Sequence, residues 1–344
     1  MKEFGKDRMK EGEVYKEERR DILRRYEITD WRSIFTEKYG DRFLEYRRLW
    51  ELANKAAILA SYPLEISFEI SDRCNYRCSF CPRNSEFKRA LNFELGKENV
   101  SLPFAAYKEV IDDGKRNNLF SVSFSTGAEA LIEKDLPKFI EYARTNDVVD
   151  IRVTTNGFML NEENIRILVD GGATFIGISI DAYRPETYKL LRKHDLQRIV
   201  NNVMNLVEYK RTKGSLFPIT RVSFVKTKEN IGEMQDFLDF WKDKADIIDF
   251  QDLYTYEYCA IEKARENKFF CAQPWQRANV WADGKVSLCC SWTAQKEAVG
   301  SIYEYSMKEI WNSAKATAFR ESLTGKNYLE ACLWCVASSE KIAD

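Results

Sequence analysis

The sequence predicts an α/β protein built on a parallel sheet, with a helical extension before it and a small cysteine-rich α+β region after it. Three observations predict this. From Pro63 to Asp252, six strand-length apolar stretches alternate with stretches of helical period. Before them, apolar residues recur at helical spacing in a background dense in Lys, Arg and Glu. After residue 255 the periodicity shortens, tryptophans cluster, and six cysteines fall between Cys259 and Cys335. The divisions are therefore 1–62, 63–254 and 255–344.

Taken in order, residues 1–60 read as two or three amphipathic helices through Leu23, Tyr26, Trp31, Ile34, Phe43, Tyr46, Leu49 and Trp50, with one helix over Asp41 to Ala60. The strands are expected at Glu65–Ile70, Leu119–Phe124, Val149–Thr154, Thr174–Ile180, Ile219–Val225 and Ile247–Asp252. Helices are expected at Phe104–Lys115, Leu136–Thr145, Glu162–Asp170, Pro185–Lys193 with Leu196–Lys213, and Ile231–Lys242. Ser101 with Pro103 and Asn161 are start signals, and Gly171-Gly172 is a stop. Successive strand–helix units imply a parallel sheet with right-handed crossovers, barrel or open. Further on, Ala278 to Leu288 is a hairpin around Asp283-Gly284. Ser306 and Glu309 form a capping box for a helix over Ser306–Leu323.

Composition narrows the function classes. A chain of 344 residues can bury one large core and a smaller appended one. The net charge is −1 and the charges are interspersed, so neither nucleic acid nor an anionic membrane is expected as a partner. No run approaches the roughly 18 apolar residues of a membrane span, and the start Met-Lys-Glu-Phe-Gly-Lys-Asp-Arg lacks the apolar stretch of a signal peptide. Nine cysteines without such a signal point to metal binding in a reducing compartment, and a soluble cytoplasmic protein is expected.

Cys74, Cys78 and Cys81 stand at C-x3-C-x2-C directly after the first strand, in Ser-Asp-Arg-Cys-Asn-Tyr-Arg-Cys-Ser-Phe-Cys-Pro-Arg. Thiolates are the usual ligands of iron–sulfur clusters, and three of them leave one iron of a cubane open to a small molecule. The alternative, structural zinc, wants four closed ligands. No fourth lies nearby, and the only histidine, His194, is far away in sequence. The spacing, Phe80 just before the third cysteine, and the strand leading in resemble the radical S-adenosylmethionine (SAM) superfamily. The resemblance implies a [4Fe–4S] cluster whose open iron binds the amino and carboxylate groups of SAM. It implies one-electron cleavage to a 5′-deoxyadenosyl radical that abstracts hydrogen from substrate, and a reductant such as flavodoxin or ferredoxin. It also selects a partial (β/α)6 barrel, with sites at the C-terminal strand ends.

A second set comprises Cys271, Cys289 and the pair Cys332-x2-Cys335. Four sulfurs suit zinc or an iron–sulfur cluster equally. Beside the first motif, C-x12-Gly-x4-C resembles the start of the SPASM auxiliary-cluster domain, and the short tail after Cys335 resembles its one-cluster twitch form. That implies one auxiliary [4Fe–4S] cluster on Cys271, Cys289, Cys332 and Cys335, with Cys290 left over as an alternative to Cys289.

Three strand ends also resemble family positions. Ser125-Thr-Gly-Ala-Glu-Ala130 stands where the family has Gly-Gly-Glu-Pro; Gly127 and Glu129 match and are implied to hold the SAM amino group, while Ala128 and Ala130 depart from the pattern. Thr155-Asn156-Gly157 and Ser179-Ile-Asp181 resemble the family's Thr-Asn-Gly and Ser-Ile-Asp, with Ser179 and Asp181 meeting the ribose or substrate. Arg192 sits where the family pairs an arginine with the SAM carboxylate, a fit for its bidentate fork, and Phe80 would face adenine.

The fate of the substrate radical defines the reaction. The one-cluster architecture is similar to a radical SAM dehydrogenase that oxidises a secondary alcohol of an aminocyclitol. The Cys-Pro-Arg stretch and the Cys-Cys hairpin resemble a group suspected of acting on sugars or polysaccharide precursors. Oxidation of a sugar or cyclitol alcohol, with the auxiliary cluster as electron acceptor, is the leading expectation. Epimerisation is the second, with Cys259 as hydrogen donor; otherwise Cys259 is a buried small hydrophobe. Peptide modification is a third. A non-catalytic iron–sulfur or zinc scaffold is the alternative outside enzymes, and it would not need the SAM-site residues.

Overall fold

Strands buried on both faces make the framework, and the helices between them supply the cover. A computed structural model describes residues 23–84, 99–124, 127–253, 261–266 and 270–340. Along the chain come β1 (Leu23–Glu27), α1 (Trp31–Asn54), β2 (Glu65–Phe68), α2 (Phe104–Arg116), β3 (Ser121–Phe124), α3 (Leu136–Thr145) and β4 (Asp150–Thr155). Then follow α4 (Glu162–Gly171), β5 (Phe175–Ser179), α5 (Pro185–Arg192), α6 (Leu196–Lys213), β6 (Ile219–Lys226), α7 (Met234–Trp241) and β7 (Ile247–Asp252). After a short α8 (Ile261–Glu266) come α9 (Gln273–Gln276), β8 (Arg277–Val280), β9 (Lys285–Ser287), β10 (Gly300–Ser301), α10 (Met307–Trp311), α11 (Ala314–Thr324) and α12 (Glu330–Glu340).

The strands form one sheet in the order β1-β7-β6-β5-β4-β3-β2-β8-β9-β10. From β2 to β7 every neighbour is parallel and consecutive, the arrangement of a partial (β/α)6 barrel. Strand alternation sorts the two faces. Phe68 and Phe124 point outward with Tyr107 and Phe139, the Phe68–Tyr107 centroids being 4.8 Å apart and the Tyr107–Phe139 centroids 4.6 Å. Glu65, Ser67, Ser123, Arg221 and Asp249 alternate to the inner face. Arg277 stands 3.4 Å from Glu65, and Asp249 takes Arg221 at 3.1 Å and Arg25 at 2.7 Å. Burial pushes the Asp249 carboxyl up, but the two guanidinium groups outweigh it and hold it below its ordinary value. Gly177 makes room for this lattice: a Cβ there would stand 2.8 Å from Arg221 Nη2.

Helix α1 closes the N-terminal ends of the strands. Asp30 caps it, accepting Ser33 N–H at 3.2 Å, and it bends at Gly40. Phe35 meets Phe217, just before β6, at 5.0 Å, and Tyr46 stacks on Phe120, just before β3, at 5.5 Å. The extension is not all helical. Leu23–Glu27, read by spacing as helix, is an antiparallel edge strand on β7, where Arg25 pairs with Asp249. Ser101 is likewise no cap: α2 begins at Phe104 with Pro103 in the capping position and no side-chain cap, and Ser101 Oγ donates to Glu133 at 2.8 Å. Asn161 does cap α4, and Gly172 ends it in the left-handed region at φ +99°.

The cysteine-rich region continues the sheet. β8 pairs in parallel with β2, and β9 returns antiparallel through a turn in which Gly284 has φ +80°. The expected capping box is present, with Ser306 Oγ accepting Glu309 N–H at 3.3 Å and Glu309 accepting Ser306 N–H at 2.8 Å. The single helix expected after it breaks at Asn312, because Ser313 begins a new cap for α11. Lys308 N–H donates to Asp113 of α2 at 3.1 Å, tying this region to the barrel's helical layer. No helix among the described residues is long and apolar enough to cross a membrane.

Candidate active site

The loop after β2 is held from three sides. Asn156 Nδ2, past the end of β4, donates to Asn75 Oδ1 at 2.7 Å; Tyr76 OH meets Tyr188 OH of α5 at 3.0 Å; and Ser79 N–H donates to Leu191 O at 2.8 Å. These contacts carry Cys74, Cys78 and Cys81 on one short loop whose Cys81 N–H donates to Cys78 O at 3.3 Å. Burial pushes all three thiols up, Cys81 to about 11, and each lies within charge range of another. Thiolates this confined need a cationic centre among them, which is what a metal cluster provides.

Glu129 anchors the next strand end. Fully enclosed, it accepts Thr155 Oγ1 at 2.7 Å, Asn156 N–H at 2.8 Å and Leu131 N–H at 3.2 Å. Burial raises its pKa against the pull of these donors. Gly127 lies two residues before it with φ +67°, a conformation that favours glycine, and its carbonyl accepts Arg83 at 3.4 Å.

Asp181 and Arg192 form the third anchor. Asp181 Oδ2 accepts Arg192 Nε at 2.6 Å and also its Nη2, while Arg192 Nη1 lies 3.5 Å from Cys78 Sγ and the guanidinium stands over Phe80 at 5.4 Å. Burial opposes the Arg192 charge, but Asp181 and the Cys78 thiol outweigh it and hold the guanidinium firmly protonated. Ser179 ends β5 two residues before Asp181, half-buried. The structure thus gathers Cys78, Phe80, Asp181 and Arg192 by direct contact, and joins Glu129 and Asn156 to the cysteine loop through Asn75.

The second thiol set brackets the β8–β9 hairpin. Cys289 follows β9 and Cys271 precedes α9, while Cys332 and Cys335 stand one turn apart on α12. Cys290 raises the Cys289 pKa first, with burial and Cys271 adding to it; burial, then Cys271, pushes Cys332 up to about 12. Cys271 thus lies within charge range of both Cys289 and Cys332, and Cys290, next to Cys289 in the chain, is exposed. Among the described residues no three His, Cys, Asp or Glu side chains gather closely enough to hold a metal ion as they stand. Cys259 lies outside the described residues.

Sequence reasoning passed over Glu69, Asn75, Tyr76 and His194. Glu69, the residue just after β2 in step with Glu65 and Ser67, is buried, and its carboxylate accepts Ala282 N–H at 3.4 Å. Burial pushes it up to about 8. A glutamate in step with Glu65 and Ser67 at the end of an alternating apolar run was the available signal.

A parallel partial barrel with three thiols after its first barrel strand, and a second thiol set on the adjoining hairpin, defines an iron–sulfur enzyme of the SAM-cleaving class. A family model described as Radical SAM superfamily matches residues 68–240, half of the chain, and one described as Iron-sulfur cluster-binding domain (SPASM) matches 271–336. The chain belongs to the radical SAM superfamily. Its relatives include a probable GTP 3′,8-cyclase of Methanocaldococcus jannaschii, 27% identical over 215 residues, which are 59% of this chain and 66% of that protein. The chain spans about half to two thirds of the length of the curated relatives it matches. Among solved structures, Streptococcus suis SuiB bound to S-adenosylmethionine aligns with TM-score 0.58 and 15% identity, over 81% of this chain and 72% of that one. BtrN, solved with AdoMet and 2-DOIA, aligns with TM-score 0.48 and 19% identity, over 78% of this chain and 89% of that one. The two domains carry a [4Fe–4S] cluster that binds SAM and an auxiliary iron–sulfur cluster, and thiols, the donors of both sets, are the ligands such clusters take.

Proposed function

We propose that this protein is a radical SAM dehydrogenase that oxidises a secondary alcohol of a sugar or cyclitol. The observation that carries it is the β2–β8 pairing, which hydrogen-bonds the strand leading into the first thiol loop to the hairpin that Cys271 and Cys289 bracket, so both thiol sets belong to one rigid sheet. When bound, SAM and the clusters supply removal of one hydrogen atom from a C–H and acceptance of one electron. Cys74, Cys78 and Cys81 would hold the first cluster, and Cys271, Cys289, Cys332 and Cys335 the second. Arg192, fixed by Asp181, would meet the SAM carboxylate; Gly127, Glu129 and Asn156 would shape the amino end, Phe80 the adenine and Ser179 the ribose. Glu69, inward-facing and adjustable near neutral pH, would take the hydroxyl proton as the O–H bond breaks. Hydrogen atom, proton and electron sum to the two hydrogens lost when an alcohol becomes a ketone.

The test is anaerobic reconstitution to roughly eight irons per chain for two [4Fe–4S] clusters, then reduction with SAM and a panel of amino sugars, cyclitols and GTP. The expected result is 5′-deoxyadenosine with one sugar-like compound two hydrogens lighter. Conversion of GTP instead, the substrate in the relatives' name, would overturn the dehydrogenase reading.

A further inference from the structure

Asn75 stands between Cys74 and Tyr76 on the first thiol loop, and the network around it fixes which way its side-chain amide faces. Phe158 N–H donates to Asn156 Oδ1 at 3.0 Å, so Asn156 has its Nδ2 to offer on the other side, and Asn75 Oδ1 accepts that at 2.7 Å. Turning either amide over would set two N–H groups or two oxygens against each other. The other arm of the Asn75 amide, Nδ2, is thereby fixed as a donor for something other than Asn156. It is buried, and among the described residues no acceptor meets it. A buried donor without a partner is costly and rare, and each one calls for an explanation.

The loop's own acceptors are already engaged. The carbonyls of Cys74 and Tyr76 accept Arg77 Nη1 at 3.2 and 3.1 Å, that of Cys78 accepts Cys81 N–H at 3.3 Å, and that of Cys81 accepts Asn84 N–H at 2.9 Å. The three thiols have donors as well: Tyr76 N–H for Cys74, Arg192 Nη1 at 3.5 Å for Cys78, and Arg83 N–H for Cys81. We propose that Asn75 Nδ2 donates to an inorganic sulfide of the cluster held by Cys74, Cys78 and Cys81, and so sets how readily that cluster takes its electron. The inference rests on the reading of this loop as the cluster site. Hydrogen bonds to the sulfurs are among the levers that set a cluster's reduction potential. The positive end of an N–H dipole favours the reduced, more negative form, so this donor raises the potential. Asn156 holds the amide, and Glu129 in turn accepts Asn156 N–H at 2.8 Å, so the donor is oriented by the strand ends rather than by the cluster itself.

The experiment poises the reconstituted full chain, without SAM, at a series of potentials and reads the reduced clusters by electron paramagnetic resonance. The signal that changes when SAM is then added belongs to the cluster of Cys74, Cys78 and Cys81, and the other signal is the internal reference. At the potential that half-reduces this cluster in the wild type, Asn75→Leu should lower the ratio of reduced to oxidised cluster about tenfold. That is a shift of about 59 mV for one electron, with the reference signal unmoved. A ratio within about threefold of wild type overturns the proposal. So does an unchanged ratio accompanied by weaker SAM binding, which would give the amide to SAM instead. Asn75→Leu also breaks the bond from Asn156, so the wild-type chain carries a second measurement. With asparagine labelled with nitrogen-15 at its side-chain amide, pulsed resonance on the same signal should detect a nitrogen coupling. Asn75→Asp, which keeps the acceptor for Asn156, should abolish it. No coupling in the wild type, or one that survives in Asn75→Asp, overturns the proposal even where Asn75→Leu fails to load iron. Iron content in the wild type no higher than in Cys74→Ala/Cys78→Ala/Cys81→Ala overturns the cluster reading itself, and the proposal with it.

Discussion

Arg192 and Asp181 are locked to one another in the interior, Nε to Oδ2 at 2.6 Å, while the same guanidinium leans on Cys78 Sγ at 3.5 Å. Asp181 is itself over-determined: Val225 N–H donates to its Oδ1 at 2.8 Å, Asn230 Nδ2 to its carbonyl at 2.8 Å, and its φ is +67°. An arginine so held presents a fixed positive edge to the cysteine loop.

Removing one partner should therefore be severe. Asp181→Ala leaves a buried, uncompensated cation, and the loss of unfolding free energy in urea should be about 3–5 kcal/mol. A loss below about 1 kcal/mol, the range of an exposed pair, would count against an interior role for the pair.

Glu129→Gln tests the second anchor. Both carboxylate oxygens face donors, so an amide sets an N–H against one of them. The expected cost is about 1–3 kcal/mol for the unsatisfied contact, with weaker SAM binding by equilibrium dialysis. Unchanged stability together with unchanged SAM affinity would detach Glu129 from the site.

The two thiol sets should separate by iron content. Cys74→Ala/Cys78→Ala/Cys81→Ala should halve the bound iron, leave the absorbance of one cluster, and abolish SAM cleavage. Zinc recovered with that variant in place of iron would remove the electron acceptor on which the dehydrogenase reading depends.

Glu69 gives a pH dependence with a definite sign. Its folded pKa of about 8 lies above the ordinary glutamate value near about 4.3, so the folded state binds the extra proton. Its contribution is fully present below the unfolded value and is lost as pH rises through about 8. Unfolding free energy should drop between pH 5 and 9, by on the order of a few kcal/mol, and Glu69→Gln should flatten the drop. Other buried carboxyls with raised pKa, Glu129 and Asp150, slope the same way, so the difference between variant and wild type is the readout. Under the proposed function, turnover should rise over the same window in the wild type alone.

The barrel was legible because each of its strands is a short apolar run closed by caps and glycines that act locally, as Asn161 and Gly172 do. β1 was not, since Leu-Arg-Arg-Tyr-Glu becomes a strand only by pairing with β7, more than two hundred residues away, where Arg25 finds Asp249. The break between α10 and α11 was missed because the periodicity runs through it, while Ser313 ends it by a side-chain bond. The cysteine spacings are local and were readable as motifs. The contacts that hold the loop, Asn75 with Asn156 and Tyr76 with His194, join residues whose types carry no signal of their own until the fold brings them together.

Cys259 decides between the two reactions that the sequence leaves open. Oxidation removes two hydrogens and needs an electron acceptor but no thiol donor. Epimerisation returns one hydrogen from a thiol that exchanges with solvent, so product formed in deuterium oxide carries one deuterium at the inverted carbon. Under the dehydrogenase reading Cys259→Ala should leave turnover within about twofold of wild type, the role of a cysteine that only packs being easily replaced. The measurement is product and 5′-deoxyadenosine quantified together. If the substitution stops product while 5′-deoxyadenosine still accumulates, the substrate radical is being formed but not quenched, and Cys259 is the hydrogen donor of an epimerase.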